Sequence, residues 1–197
     1  MTALAFDPAH TAVLAMDCQA AIVSGYAKPP EPFLERAVSV LAAARRAKMT
    51  VIHIQVGFRP GLPEIHPRRG LFVSLKTDEH RRQMFKGPGG AIHPALGPEA
   101  GDIVVTKRRV SAFTGSDLDV LLRANDIEVL VMFGIATSGV VVSTLLQAVD
   151  ADYRAIIIGD CCVDQDAELH AALVEKFFPR RGTVITANEF VEGAGRT

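Results

Sequence analysis

Residues Gly101 to Thr137 read GDIVVTKRRVSAFTGSDLDVLLRANDIEVLVMFGIAT. The stretch divides into three pieces. Asp102 to Thr106 (DIVVT) is short, apolar and β-branched, which suits a strand, and Lys107 follows it. Ser116 then opens SDLDVLLRAN, where the Ser116 hydroxyl can cap a helix and Asp117 and Asp119 suit its positive end. Glu128 to Phe133 (EVLVMF) is a second apolar run, closed by Gly134. Strand, helix and strand in this order make a βαβ unit, whose strands run parallel.

The same alternation extends in both directions. Upstream, Thr11 to Met16 (TAVLAM) forms a strand ending at Asp17, Glu31 to Lys48 is a helix with Leu34, Val38, Leu41 and Ala42 on one face, and Thr50 to Val56 (TVIHIQV) is a strand. Downstream come a helix from about Ser138 to Ala151 and a strand at Arg154 to Ile158 ending at Gly159-Asp160. A helix from Asp166 to Phe178 is closed by Pro179, and a last strand at Gly182 to Thr186 leads into a short helix at Ala187 to Val191. Continuous apolar strands interleaved with helices predict an α/β sandwich: a mostly parallel sheet of about six strands with helices on both faces. Such sheets bind ligands beyond the carboxyl ends of their strands.

At 197 residues the chain has room for one domain, 1–197, able to bury a core without disulfides or metals. Lysine plus arginine total 21 against 22 acidic residues, a net charge of −1 that excludes nucleic-acid binding by bulk charge and disfavours anionic membranes. No window approaches the length of a membrane span, and Met1 to His10, with Asp7 and no basic run, does not read as a signal peptide. Three cysteines, Cys18, Cys161 and Cys162, are odd in number and lack metal-finger spacing, which points to a cytoplasmic protein.

The segment Gly57 to Gly101 departs from the pattern. It is rich in Gly, Pro, His and Arg, and is too long for a structureless loop. A short helix around Asp78 to Phe85 is expected, the remainder forming a lid or a subunit contact. Arg59, Arg68 and Arg69 can meet an anionic substrate or simply stay solvated.

Three strand ends can carry chemistry. Asp17 in AMDCQ reads either as a turn carboxylate or as an acid/base group in a cleft. Lys107 reads either as part of a solvated basic turn with Arg108 and Arg109 or as the partner that fixes the charge of Asp17. The FGIATSG turn reads either as a plain βα connection or as an anion cradle built from the first amides of a helix.

Taken in order, AMDCQ, the Gly101–Thr137 stretch and STLLQAVDADYRAIIIGDCCVD resemble the isochorismatase-like hydrolase superfamily, the group containing nicotinamidases, N-carbamoylsarcosine amidases and isochorismatases. The resemblance covers nearly the whole chain and implies a Rossmann-like three-layer fold and a small-molecule substrate. The family's amidases use an Asp, Lys, Cys triad. The first two fall on Asp17 and Lys107; the third, in the pattern G-x-x-T-x-x-C-V, falls on Val140. Valine has no lone pair, so thiolate catalysis of the amidase type is expected to be absent. The isochorismatase branch also lacks the cysteine, with glycine there, and cleaves a vinyl ether by proton donation from the aspartate followed by water attack.

The resemblance further implies a cis peptide at Ile135–Ala136 and an oxyanion cradle at Ile135, Ala136, Thr137, Ser138 and Gly139. Ser138 alone reads more simply as a helix cap. Gln19 and Phe113 are expected to contact substrate, with core packing the alternative for Phe113. The nicotinamidase metal motif is missing: His53 lies within a strand and His66 in a loop, with no Asp-x-His, so neither metal nor cofactor is expected. Relatives of this fold commonly form dimers or tetramers, and VVVSTLLQAV or the 57–101 segment can supply the interface.

Three functions follow. The first is a thiol-independent hydrolase using Asp17 and Lys107. The second is a catalytically silent member that binds a small metabolite or serves as an oligomeric scaffold. The third keeps thiol chemistry through Cys161 or Cys162, which follow the fifth strand at the proper edge of the sheet. Cys18 beside Asp17 reads as a buried apolar side chain.

Overall fold

The computed structural model describes residues 5–196. The termini of the 1–197 domain reading and the first four residues of the stretch read as lacking a signal therefore lie outside the described residues.

In chain order the elements are β1 (Thr11–Met16), α1 (Ala20–Tyr26), α2 (Glu31–Arg46), β2 (Thr50–Val56), α3 (Glu79–Gln83), α4 (Gly87–Gly90), β3 (Ile103–Lys107), α5 (Leu118–Ala124), β4 (Val129–Ile135), α6 (Val142–Asp150), β5 (Arg154–Val163), α7 (Ala167–Ala172), β6 (Thr183–Ile185) and α8 (Ala187–Ala194). The six strands form one sheet in the order β3-β2-β1-β4-β5-β6, and every neighbouring pair is parallel. The chain moves outward from β1 to β2 and β3, then returns to β4 and moves outward again on the other side. Right-handed crossovers therefore put α2 on one face of the sheet and α6 and α7 on the other. Helix α8 returns to the α2 side, where the two helices pack together. The order reverses between β1 and β4, which is where a sheet of this kind opens a crevice at its carboxyl edge.

Burial explains why the strands read as unbroken apolar runs. Every residue of β1 is buried, as are Leu130 to Ile135 of β4 and Ala155 to Ile158 of β5, because both faces of the central strands are covered. No helix among the described residues is long and apolar enough to cross a membrane.

Several boundaries differ from the sequence expectation, each for a local reason. Strand β5 does not stop at Gly159-Asp160 but runs on to Val163. A register shift opposite Met132 and Gly134 lets it resume pairing through Cys162 and Val163. Gly159 is a packing requirement rather than a stop: an added Cβ would approach Val174 at 3.0 Å and Val184 at 3.2 Å. Cys161 and Cys162 thus lie inside the strand, buried, and not in a turn after it. Strand β4 likewise passes through Gly134 to Ile135. Lys107 is the last residue of β3 rather than its successor. Asp117, not Ser116, occupies the cap position of α5, although the Ser116 hydroxyl accepts a hydrogen bond from the Leu118 amide at 3.3 Å. Helix α1 was absent from the sequence pattern; it is a seven-residue helix containing a glycine.

The 57–101 segment folds as short helical pieces. Asp78 caps α3 by accepting from the Arg81 amide at 3.0 Å, close to the expected helix. Gln19 ties the segment to the sheet. Its amide donates to the carbonyls of Val56 at 3.0 Å and Gly90 at 2.7 Å, and accepts from the Val56 amide at 2.8 Å. The Ala20 amide donates to the Ala91 carbonyl at 2.9 Å and the His93 amide to the Cys18 carbonyl at 2.8 Å, completing the attachment.

Candidate active site

The chain leaves β1 at Asp17 in the left-handed conformation, φ +54°. Aspartate tolerates this region better than most residues. Next to it, β4 passes within reach of the β1 backbone at Gly134, φ +144°, where a Cβ would stand 2.0 Å from the Met16 carbonyl oxygen. Only glycine permits that approach. The two strand ends that flank the crevice are thereby drawn together.

Lys107, at the end of β3, reaches across β2 into the same crevice. Its Nζ lies 2.9 Å from Asp17 Oδ2 and donates to the Arg109 carbonyl at 3.0 Å. Lys107 is 2% exposed and Asp17 7%. The second carboxylate oxygen, Asp17 Oδ1, is buried and has no hydrogen-bond partner among the described residues. Burial pushes the carboxyl up, Lys107 offsets only part of the effect, and the resulting pKa is about 6.

A cavity of about 190 Å³ opens at this pair. Asp17, Ile22 and Tyr26 line it from the β1 side, with Val56 at the end of β2 and Lys107 and Val110 beyond β3. Leu71, Phe72, Met84 and Phe85 come from the 57–101 segment, which accordingly forms part of the cavity wall. Ile135, Ala136, Gly139 and Val140 close it from the β4–α6 turn. The wall is mostly apolar. Its side-chain polar groups are the Asp17 carboxyl, the Lys107 ammonium and the Tyr26 hydroxyl.

The turn after β4 carries a cis peptide at Ile135–Ala136, and residues 137–141 form one wide helical turn before α6. Val140 is 2% exposed. The Ser138 amide donates to Asp164 Oδ2 at 2.7 Å, and the Gly139 amide to the Ala136 carbonyl at 3.1 Å. Thr137 Oγ1 is 2.8 Å from His170 Nδ1. The Asp164 and His170 contacts anchor the turn to the β5–α7 connection and to α7.

The structure thus gathers Asp17, Lys107, Ile135, Ala136, Gly139 and Val140 around one cavity. It leaves Thr137, Ser138, Gln19 and Phe113 outside its lining. Gln19 is fully buried with its amide engaged by backbone, and Phe113 packs against Tyr153 with ring centroids 6.1 Å apart. Arg59, Arg68 and Arg69 also lie outside it. His53 is buried in β2 with Nε2 3.1 Å from Asp102 Oδ2, and exposed His66 accepts from the Arg68 amide at 3.1 Å. The three thiols are free and buried, and none lines the cavity. Burial raises the pKa of each, that of Cys162 to about 12. Tyr26 and the four residues from the 57–101 segment were not singled out from sequence, since nothing local marks a side chain that acts by tertiary placement.

Comparison with known proteins places the chain in a family. The chain is 35% identical over 176 residues to ureidoacrylate amidohydrolase RutB of Methylorubrum extorquens, covering 80% of this chain and 71% of the relative. It is 26% identical over 178 residues to maleamate amidohydrolase of Pseudomonas putida, covering 86% and 82%. The structure of an isochorismatase family protein from Burkholderia thailandensis superposes with a TM-score of 0.82 at 25% identity, covering 98% of this chain and 100% of that one. Residues 11–189 match the isochorismatase domain model, and the chain accordingly belongs to the isochorismatase family of hydrolases.

Proposed function

We propose that the protein is a small-molecule hydrolase that works without a thiol, with Asp17 as general acid and Lys107 as its electrostatic partner. The observation that carries this reading is the buried pair at 2.9 Å, with Asp17 Oδ1 unpartnered among the described residues, in a cavity lined by Val140, the position where the resemblance implies the family's cysteine. A carboxyl with a pKa of about 6 is partly protonated near neutral pH, so it can give a proton and later take one back.

A vinyl ether would be cleaved by protonation, water addition and collapse. Asp17 transfers its proton to the alkene carbon, and the electron pair of the double bond forms the new C–H bond. Positive charge develops on the ether oxygen and adjacent carbon. The carboxylate left behind is held by Lys107, which stabilises it relative to a lone buried charge. Water adds to the cation and returns a proton to Asp17. The resulting hemiketal then collapses to a carbonyl compound and an alcohol. Ile135, Ala136, Gly139 and Val140 act as walls that hold the reacting carbon against the carboxyl. The cavity's size and apolar lining suit a small substrate, or the small reacting end of a larger one.

The test is a turnover screen over vinyl ethers, esters and amides, including ureidoacrylate and maleamate because the two relatives are named for them. Turnover that is abolished in Asp17→Asn and insensitive to iodoacetamide is expected. Turnover that survives Asp17→Asn, or is lost on thiol alkylation, overturns the mechanism. Val140 also supports a second reading, a silent member that binds a metabolite without converting it. A compound that binds tightly in the cavity with no turnover across the screen selects that reading.

A further inference from the structure

A second and larger cavity, of about 550 Å³, adjoins the Asp17 cavity. Phe85 lines both. Phe58 lines the larger one and meets Phe85 edge-on, with ring centroids 5.6 Å apart at 85°. Phe85 is thus a wall shared by the two spaces, backed by the ring of Phe58.

The chemistry of the larger space is distinct. Arg59, Lys76, Arg82 and Lys86 all line it, and no carboxylate does among the described residues. Residues 57–86 as a whole hold seven basic and three acidic side chains, in a chain whose net charge is −1. Two of the four cations already have partners. Arg59 lies 3.8 Å from Glu64, and Arg82 is paired with Glu79 while also donating to the Leu75 and Lys76 carbonyls at 2.9 Å each. The ammonium groups of Lys76 and Lys86 make no salt bridge among the described residues, Lys86 only lying near enough to Glu79 to lower its pKa. The lining therefore includes two lysines, half-buried Lys76 and exposed Lys86, that carry no salt bridge among the described residues, beside the apolar rings of Phe58 and Phe85, in a concave setting that concentrates positive field. Two charges match a dianion, and lysine serves phosphate as a point charge.

We infer that this chamber is a phosphate-binding site, and that it holds the phosphate-bearing tail of a substrate whose small reacting end passes Phe85 into the Asp17 cavity. The tail assignment rests on the proposed chemistry at Asp17; the anion site does not. The inner cavity accepts only the reacting end, and the outer chamber supplies affinity from a remote part of the substrate, which can be used to position that end.

Titration of the full chain with inorganic phosphate and with phenyl phosphate, followed by isothermal calorimetry or amide NMR shifts, tests both parts without requiring turnover. Replacing both lysines, Lys76→Ala with Lys86→Ala, is expected to weaken inorganic phosphate about tenfold or more, since hydrogen bonds to charged groups are the strong ones. The charge-keeping pair Lys76→Arg with Lys86→Arg is expected to retain binding, which separates lost charge from lost folding. Phosphate bound equally well by wild type and the double alanine variant overturns the site. Phenyl phosphate is expected to bind about tenfold or more tighter than phosphate, from burial of its ring. Val140→Phe, which fills the inner cavity, is expected to remove that advantage and leave phosphate binding intact. A phenyl advantage that is absent, or that persists in Val140→Phe, overturns the tail assignment and identifies a site for a free anion. Asp17→Asn is expected to leave phosphate affinity unchanged, so that failure of the acid mechanism and failure of this site are read separately.

Discussion

Two aspartates stand at opposite ends of the parallel sheet, and their surroundings divide their roles. Asp102 precedes β3 at the amino edge. Its Oδ2 accepts from Arg45 at 2.5 Å, from the Glu99 amide at 2.9 Å and lies 3.1 Å from His53 Nε2. Burial alone would raise its pKa, but Arg45, the Glu99 amide and His53 outweigh that effect and hold the carboxyl below its usual value. Asp17 follows β1 at the carboxyl edge, where, among the described residues, Lys107 is its one ionic partner and Oδ1 has none. There burial wins and the pKa rises to about 6. A carboxylate saturated by donors locks structure. One with a single partner and a cavity in front of it retains a proton that can be used.

The sharpest way to break this contrast is Asp17→Asn. If Asp17 is the proton donor, kcat/KM falls by about 10²–10⁴-fold on any substrate the screen identifies, the range for a lost general acid. Equal loss in Asp102→Asn would show that both carboxylates act through folding alone.

Lys107→Met probes the other half of the pair. It leaves a buried carboxylate without its cation, and removing one partner of a buried ion pair destabilises by about 3–5 kcal/mol. Chemical denaturation near neutral pH measures it. The loss is expected to shrink as the pH is lowered, because Asp17 can then shed its charge by binding a proton.

Titration gives the two aspartates opposite signs. Asp17 binds its proton more tightly folded, at about 6, than at its ordinary 3.8. Its contribution to stability is full below about 3.8 and is lost as the pH rises through about 6. Asp102, held below its ordinary value, contributes above that value and loses its contribution as the pH falls through its depressed pKa. If Asp17 is the proposed acid it must be protonated to act, so kcat/KM is expected to be flat below about pH 6 and to fall about tenfold per pH unit above it. A profile that rises through this range requires Asp17 to act as a base.

The contrast between the aspartates was only half legible in the sequence. Strands β1 and β2 lie where their apolar runs begin and end, because covered strands must be apolar along their whole length. That placed Asp17 and Lys107 at strand ends, and the order of strands brought them to one crevice. Hydrogen-bond saturation was not legible. Asp102 and Asp17 both adjoin apolar strands, and only tertiary contacts distinguish three nearby partners from one. The wall of Leu71, Phe72, Met84 and Phe85 was hidden for the same reason: the 57–101 segment has no hydrophobic period, and its position depends on the Gln19 clamp. Gly159 misled the reading of β5 because a glycine required by Val174 and Val184 looks, in one dimension, like a glycine that ends a strand.

The mildest test is Asp102→Asn. The amide keeps an oxygen for Arg45 and the Glu99 amide, so the variant loses charge more than it loses bonds. Arg45 is itself partly exposed and retains Glu99 at 2.7 Å. The expected loss is about 1–2 kcal/mol, toward the lower end for hydrogen bonds to charged groups. His53 supplies an independent readout. Burial lowers its pKa, and Asp102 works against that effect. Removing the carboxylate should therefore lower the His53 pKa further, which histidine NMR titration follows directly. Because Asp102 lies at the far edge of the sheet, kcat/KM and the position of its break near pH 6 should stay where they are. A break that moves in this variant would mean that the two ends of the sheet are electrostatically coupled and that saturation by local donors does not isolate Asp102 from the carboxyl edge.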